Sequence, residues 1–357
     1  MTFLAQLEPD ALLAAFVDHP PPGFLAAFGE AGLPVFDAPF DLLTTAEDAL
    51  RRRVDALPLA RYWRGALRWR TRFVGSTVTE YAPLPRDVDA AALARRLRER
   101  YGRERRLCIV KDLPMASPLL GEQDNGFAAA FAQALHEEGF VLLEGQALAW
   151  VPIDFADADA YLARLSAGRR KDIRRKLRAR ERLTIECVPT GDPRLRDPAV
   201  LAELDALYRN VYAQSEIHFD ELSPAFLRAI LGQADSGGQV FVYRHDGAMI
   251  GWNLCYAYGG KLIDKYVGFA YPQAREHNLY FVSWMHNLEY ARAHGLSHYV
   301  AGWTDPQIKA YLGASMHFTR HAVYARNPLL RAVLRRVAGH FESDRAWRDA
   351  QAAEPRG

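Results

Sequence analysis

Cysteine is scarce in this 357-residue chain: Cys108, Cys187 and Cys255 stand far apart with no CxxC pair. That excludes a zinc ribbon and a disulfide framework and fits a reducing compartment, so a cytoplasmic location is expected. Lysine is scarce too, with six residues against a total of 45 lysines and arginines, which makes each lysine worth inspecting. The net charge of +2 is too small to mark the whole chain as a nucleic-acid binder. No apolar run reaches the roughly 20 residues of a membrane-spanning helix. Met1 to Phe16 carries Glu8 and Asp10 and no basic leader, so it does not read as a signal peptide. Also missing are the GxxxxGK[ST] phosphate loop, the GxGxxG fingerprint, HExxH and GxSxG, which removes support for nucleotide hydrolases, dinucleotide oxidoreductases, zinc proteases and serine hydrolases.

Half of the residues are hydrophobic and a quarter charged, the balance of a globular protein of two domains. In the first half, Ala46 to Leu57 has helical spacing and Leu67 to Tyr81 alternates like one long strand or a hairpin. Asp87 to Tyr101 reads as a helix, Arg106 to Leu113 as a strand, Gly126 to Glu138 as a helix, and Phe140 to Ile153 as a strand pair turning near Glu144-Gly145. A long helix is expected from Asp157 to Glu181.

The second half is more legible. Leu183 to Pro189 is a strand, and helices follow over Pro198 to Ala213 and Ser223 to Gly232, the latter behind a Ser223-Pro224 start. Gln239 to Arg244 and Ala248 to Tyr258 are strands joined across Asp246-Gly247, a hairpin signal because both residues tolerate positive φ. Gly259-Gly260 turns the chain into a third strand, Lys261 to Phe269. A helix over Asn278 to His294, a strand over Ser297 to Trp303, a short helix over Pro306 to Tyr311 and a strand over Met316 to Tyr324 complete the unit. Two-residue turns force the meander to be antiparallel, which excludes a doubly wound parallel sheet.

This order of elements resembles the GNAT (N-acetyltransferase superfamily) fold. Tyr161-Leu-Ala-Arg-Leu-Ser166 followed by Arg169-Arg-Lys-Asp-Ile-Arg-Arg175 is similar to the lead-in segment of Fem-type transferases of peptidoglycan and exopolysaccharide biology. Leu279-Tyr-Phe281, Glu289-Tyr-Ala-Arg292, Gly295-Leu296, and Gly302 with Lys309 and Leu312-Gly313 resemble the same group. The resemblance implies an α/β (α+β) fold of two tandem GNAT-like domains, each a mixed, largely antiparallel sheet flanked by helices. Its expected division is a degenerate N-terminal domain over 1–156, a basic connecting helix over 157–182, a catalytic domain over 183–326, and a C-terminal helix and tail over 327–357.

One departure bears on the donor. Acetyl-CoA users of this superfamily carry a glycine-rich loop before the main helix, whose bare amides wrap the pyrophosphate. Here the loop is Pro272-Gln-Ala-Arg-Glu-His-Asn278, without glycine and with Glu276 to repel a diphosphate. The Fem-type resemblance therefore implies an aminoacyl-tRNA co-substrate, with acyl-CoA as the other option, no tightly bound cofactor and no metal. The expected activity is transfer of the activated acyl group to a small-molecule or cell-envelope amine by direct aminolysis, which requires positioning and oxyanion stabilisation but no protein nucleophile. The alternative is an inactive GNAT-like module that binds RNA or an anionic polymer, as loss of the glycine loop would predict.

The candidate site residues follow. Lys309 lies where Fem-type relatives place a functional lysine, suited to an oxyanion or an anionic acceptor. On the third meander strand, alternation puts Asp264, Tyr266 and Gly268 on one face. Asp264 is then a base or ammonium ligand, or the partner of a neighbouring arginine, and Tyr266 positions the acceptor. His277 is a candidate proton relay and Asn278 an N-cap or binding residue. Tyr280 and Trp303 complete the candidate substrate contacts, with core packing the other reading of Trp303, as of Trp252 and Trp284. Glu216, His218 and Asp220 are too few for a metal site, and His218 is kept as a binding residue. Arg169 to Arg182 holds nine basic and two acidic residues. Arg170, Lys171, Arg174, Arg175 and Arg178 are its candidate tRNA contacts, against a solvated, salt-bridged helix. Pro328 to Phe341 is basic and apolar at helical spacing, suited to docking on the protein body or to contact with a membrane surface.

Overall fold

The computed structural model describes residues 3–41, 68–215 and 219–338. Along the chain run β1 (Phe3–Leu4), α1 (Asp10–Asp18), β2 (Leu25–Phe28), β3 (Pro34–Asp41), β4 (Arg68–Val74), β5 (Leu84–Pro85), α2 (Ala90–Tyr101), β6 (Leu107–Leu113), α3 (Glu122–Glu137) and β7 (Val141–Pro152). Then come α4 (Ala158–Ala163), α5 (Ala167–Leu177), β8 (Thr184–Pro189), α6 (Pro198–Gln214), α7 (Pro224–Leu231), β9 (Gly238–His245) and β10 (Ala248–Tyr258). The last are β11 (Lys261–Phe269), α8 (Gln273–Glu276), α9 (Leu279–Ala293), β12 (His298–Gly302), α10 (Pro306–Leu312), β13 (Ser315–Ala325) and α11 (Pro328–Val337). These form two units: Met1–Gln6 with Gly23–Ala147 and Phe318–Gly357, and Leu7–Pro22 with Leu148–His317. The helix expected over 46–57 and the candidate His218 lie outside the described residues.

In the first unit, β2, β3 and β4 form an antiparallel meander, β4 pairs parallel with β6, and β6 pairs antiparallel with β13. Stacked Phe24, Phe36 and Phe73, with centroid separations of 5.2 and 4.7 Å, tie the meander to its core. Asp37 is held between Arg72 at 2.6 Å and Arg105 at 2.8 Å. The expected turn at Glu144-Gly145 does not form; Val141–Pro152 is one strand. Gly145 has no positive φ and answers to a close approach instead, because a Cβ there would collide with the Thr319 hydroxyl and press on the His321 ring.

The second unit is built on β8, β9, β10 and β11, each antiparallel to the next. Both turns form as the glycines require, with Asp246 and Gly247 at φ of 48° and 83° and Gly259 and Gly260 at 54° and 73°. β12 pairs parallel with β11 and antiparallel with the last residues of β7. Helices α6 and α7 cover one face: the Trp252 indole N–H donates to the Leu204 carbonyl of α6 at 2.9 Å. The other face is covered by α9, whose Leu279, Val282, Met285 and Leu288 are fully buried with Phe241, Tyr243 and Ala149.

The helix expected from Asp157 to Glu181 is broken. α4 ends at Ala163, Ser166 is extended at φ −60° and ψ 155°, α5 restarts at Ala167, and a 3-10 turn covers Arg178–Arg182. The Asp157 carboxylate caps the start of α4 by accepting from the Ala160 amide, and at the break itself the Arg170 guanidinium satisfies the carbonyls of Ala163 and Leu165 left open at the end of α4.

Candidate functional site

The site begins where a strand pairing stops. β11 and β12 are in register over Lys261↔His298, Leu262↔Tyr299 and Ile263↔Val300, and the ladder goes no further. Asp264 is the first β11 residue past this point. Its Oδ2 accepts from the Tyr299 hydroxyl of β12 at 2.8 Å and from the Asn287 amide of α9 at 3.0 Å. Its Oδ1 faces the Asn253 amide at 3.3 Å and the Cys255 thiol at 3.5 Å, both on β10. A second ring of bonds fixes these donors, from Asn287 to the Tyr299 oxygen at 3.1 Å and from Tyr243 to Asn253 at 2.8 Å. Two oxygens offer about four lone-pair sites, and these four donors take them. No arginine is among these partners, so the pairing with an arginine entertained from the sequence is not what the structure contains. Desolvation raises the Asp264 pKa, while the bonds from Tyr299 and Asn253 and the charge of Lys309 hold it back. Burial next to Asp264 pushes the Tyr299 phenol well above its ordinary value and keeps it a neutral donor.

Lys309 is 4 % exposed on α10. A Cβ added at Gly302 would lie 3.9 Å from the Lys309 ammonium and 3.7 Å from the Asp264 carbonyl oxygen, so the end of β12 is bare where these groups approach. The α10 helix that carries Lys309 is clamped from the lead-in segment. Arg169 donates from Nε to the Tyr311 carbonyl and from Nη2 to the Ala310 carbonyl, both at 2.7 Å. Tyr161 donates to the Leu312 carbonyl, and the Tyr311 hydroxyl donates to Asp172 at 2.8 Å. An arginine and a tyrosine thus satisfy the open carbonyls at the helix C-terminus and fix where its lysine stands.

The expected shared face of Asp264 and Tyr266 is overturned. Cys255 pairs with Asp264 but the adjacent Leu254 pairs with Tyr266, so Lys265 is a β-bulge. Consecutive residues of β10 face opposite ways, and their partners do too: Asp264 turns to α9, while Tyr266 turns to α6 and α7, its ring edge-on to Phe226 at 6.0 Å. The bulged Lys265 meets Glu8, which precedes α1, at 3.3 Å, with both side chains almost fully buried at 6 % and 0 % exposure.

Tyr280 stands in the first turn of α9. Its phenol is pushed up by burial and by the negative charges of Asp305 and Asp264. His277 is elsewhere: its ring packs on His245 with centroids 4.1 Å apart. His245 pairs with Ala248, seven residues along β10 from the Cys255 that faces Asp264, or about 23 Å at the usual strand rise. Burial, His245 and Arg182 lower the His277 pKa, so the structure makes it a neutral packed histidine at the hairpin end and leaves it no part in the Asp264 group. Asn278 occupies the N-cap position of α9 in a left-handed conformation at φ 49° without a side-chain capping bond. Trp303 is half-buried just after β12.

The loop before α9 is a helical turn. The amides of Ala274, Arg275, Glu276, His277 and Asn278 donate to the carbonyls of Ala270, Pro272, Pro272, Gln273 and Arg275 in turn. Five consecutive backbone donors are therefore engaged within the turn itself.

The basic segment divides by role. Arg169 and Arg170 hold backbone carbonyls and Arg180 pairs with Glu289 at 2.6 Å. Lys171, Arg174, Arg175 and Arg178 face solvent. Among these, Arg174 reaches Asp159 at 2.8 Å and Arg175 reaches Asp172 at 2.6 Å. Among the described residues, no group of three or more histidine, cysteine, aspartate or glutamate side chains is arranged to hold a metal.

Sequence reasoning missed Tyr299, Asn287, Asn253 and Tyr161 as parts of the site. Tyr161 and Arg169 were visible only as members of a motif, and the others carry no local signal because they converge from separate elements.

Residues 167–310 match the family model of the acetyltransferase (GNAT) domain. The matched stretch lies within the second unit. The chain is similar in fold to the C-terminal domain of a putative lysylphosphatidylglycerol synthetase from Agrobacterium fabrum, at 14% identity and a TM-score of 0.57, covering 92% of this chain and 91% of that one. FemX is similar at 13% identity and a TM-score of 0.52 over 90% and 97% of the two chains. L-PGS from Bacillus licheniformis is similar at 12% identity and a TM-score of 0.51 over 94% and 99%. The comparison with curated protein sequences found no match. The fold is shared with these structures, and in each unit it is a largely antiparallel sheet flanked by helices. Among the described residues, no helix is long and apolar enough to cross a membrane.

Proposed function

We propose that this chain transfers an aminoacyl group from aminoacyl-tRNA to an amine acceptor by direct aminolysis. The observation that carries the choice of donor is the turn over 273–278, whose five amides are engaged internally and which ends beside Glu276. Such a loop offers a diphosphate neither free donors nor a favourable charge. The names of the similar structures, FemX, L-PGS and a putative lysylphosphatidylglycerol synthetase, support aminoacyl transfer as the reaction class.

In this reading the carbonyl of the activated ester is placed past the end of the β11–β12 ladder. Lys309 stabilises the oxyanion of the tetrahedral intermediate; the acceptor arrives as a neutral amine, the amide bond forms as the ester bond breaks, and the proton lost by the amine goes to the departing tRNA terminal hydroxyl. Asp264 acts through its charge and its bonds, since its lone pairs are already engaged, holding Tyr299 and Asn287 in place and balancing Lys309. Tyr280 and Trp303 line the acceptor side. Lys171, Arg174, Arg175 and Arg178 track phosphates of the acceptor arm, with affinity that falls steeply with salt.

The test is to incubate the protein with labelled aminoacyl-tRNAs and, separately, with labelled acyl-CoAs, each with a panel of amines. Label moving to an amine only from aminoacyl-tRNA is the expected result, and transfer only from acyl-CoA would replace the donor. Product from neither, with tRNA still bound, would favour a binding module. Replacing Arg174 and Arg175 with alanine weakens tRNA binding and flattens its salt dependence; an unchanged affinity would leave these arginines as a solvated face.

A further inference from the structure

The helix α11 has one broad apolar arc, and only one side of it is covered. At 100° per residue, Leu330 and Leu334 lie together on one side and are partly buried, while Arg331 packs over the Tyr324 ring at 4.7 Å and donates to the Ala325 carbonyl at 2.9 Å. Docking on the unit therefore accounts for Leu330, Leu334 and Arg331. It does not account for Leu329 and Val333, one turn apart on the outer side, which are 76 % and 55 % exposed. Arg336 continues their line a turn further on, and Arg335 is exposed on the far side of the helix. From Arg326 to Ala338 the sequence holds four arginines and no acidic residue. Asn327 caps the helix by accepting from the Leu329 and Leu330 amides, so the start of the outer stripe is fixed in place.

We propose that this outer stripe of α11 docks on an anionic lipid surface. An apolar pair continued by an arginine, on a segment with no acidic residue from Arg326 to Ala338, selects among possible occupants. A second copy would meet the same patch across a two-fold axis and set arginine against arginine, which disfavours self-association. A nucleic acid would engage the arginines but leave Leu329 and Val333 in water. A bilayer bearing anionic headgroups satisfies both, since the two side chains enter the headgroup–acyl boundary while the guanidinium groups stay at the phosphates. With only two apolar side chains inserted, the attachment is peripheral, reversible and sensitive to salt.

The experiment is co-sedimentation of the full chain with vesicles of phosphatidylcholine alone and of phosphatidylcholine mixed with phosphatidylserine. The expected result is binding to the mixed vesicles, at least tenfold weaker binding to the neutral ones, and loss of binding at high salt. The paired changes Leu329→Ser with Val333→Ser, and Arg335→Glu with Arg336→Glu, each lower binding about tenfold without moving the thermal midpoint, because all four side chains are exposed. No binding to phosphatidylserine vesicles overturns the proposal, as does equal binding to neutral vesicles or unchanged binding by both paired variants. Dimerisation in sedimentation velocity that is abolished by Leu329→Ser with Val333→Ser would assign the stripe to a second copy and overturn it equally.

Discussion

The Tyr299 hydroxyl donates to Oδ2 of Asp264 at 2.8 Å, joining β12 to β11 just past the end of their shared ladder. Tyr299 stands in the last stretch of paired strand, and Asp264 is the first β11 residue beyond it. Removing that donor tests whether the carboxylate takes part in the chemistry. With Tyr299→Phe the ionised carboxylate loses a bond that lowers its pKa, so the pKa rises further. The acid limb of the pH–rate profile moves to higher pH, at a stability cost of about 1.5–3 kcal/mol for a bond to a charged group. An acid limb that stays in place would detach Asp264 from the reaction.

Lys309→Ala lowers the single-turnover rate by about 10²–10³, the usual effect of removing one oxyanion donor, with little change in substrate affinity. Arg169→Gln leaves the lysine present but loosens the C-terminus of its helix, so its effect falls on kcat and is smaller. Full activity in Lys309→Ala would remove the lysine from the mechanism.

Glu8 and Lys265 form a buried ion pair at 3.3 Å. Glu8→Ala leaves an ammonium without its carboxylate and costs about 3–5 kcal/mol, read as a lower midpoint in urea, whereas replacing both residues with methionine restores most of the loss. Equal losses in the single and the double variant would show that packing, and not charge pairing, is what matters there.

His286 on α9 is enclosed by Phe241 and Tyr243, with both ring nitrogens buried and no hydrogen-bond partner. Burial, with Arg180 nearby, lowers its pKa to about 4 from an ordinary 6.5. The unfolded chain therefore takes up a proton before the folded one does. The stability held above pH 6.5 is lost as pH falls through the range from 6.5 to about 4, by up to about 3 kcal/mol. Thermal midpoints measured across that range should fall for the native protein and fall less for His286→Phe. Parallel curves would mean that the ring is solvated enough to protonate in place.

The sequence was most legible where one residue type dictates backbone geometry. Asp246-Gly247 and Gly259-Gly260 announce both turns of the meander, and Ser223-Pro224 announces the start of α7. It was least legible where structure depends on residues far apart in the chain. Gly145 reads as a turn until Thr319 and His321 are seen against it. Asp157 to Glu181 reads as one helix because hydrophobic periodicity carries through Leu165, while the break at Ser166 is stabilised by Arg170 reaching back. His277 had the chemistry of a relay, and its stacking on His245 is a tertiary contact. Asp264 was found from its strand, but its four donors come from three elements.

The bulge at Lys265 makes the site sensitive to chain length as well as to side-chain identity. One additional residue in β11 separates the face that holds Asp264 from the face that holds Tyr266. A homologue could keep every polar group of this region and still lack the arrangement if it were shorter by that single position. Alignments of related chains should therefore treat a one-residue gap at Lys265 as a change of function, much as a frameshift matters more than a substitution.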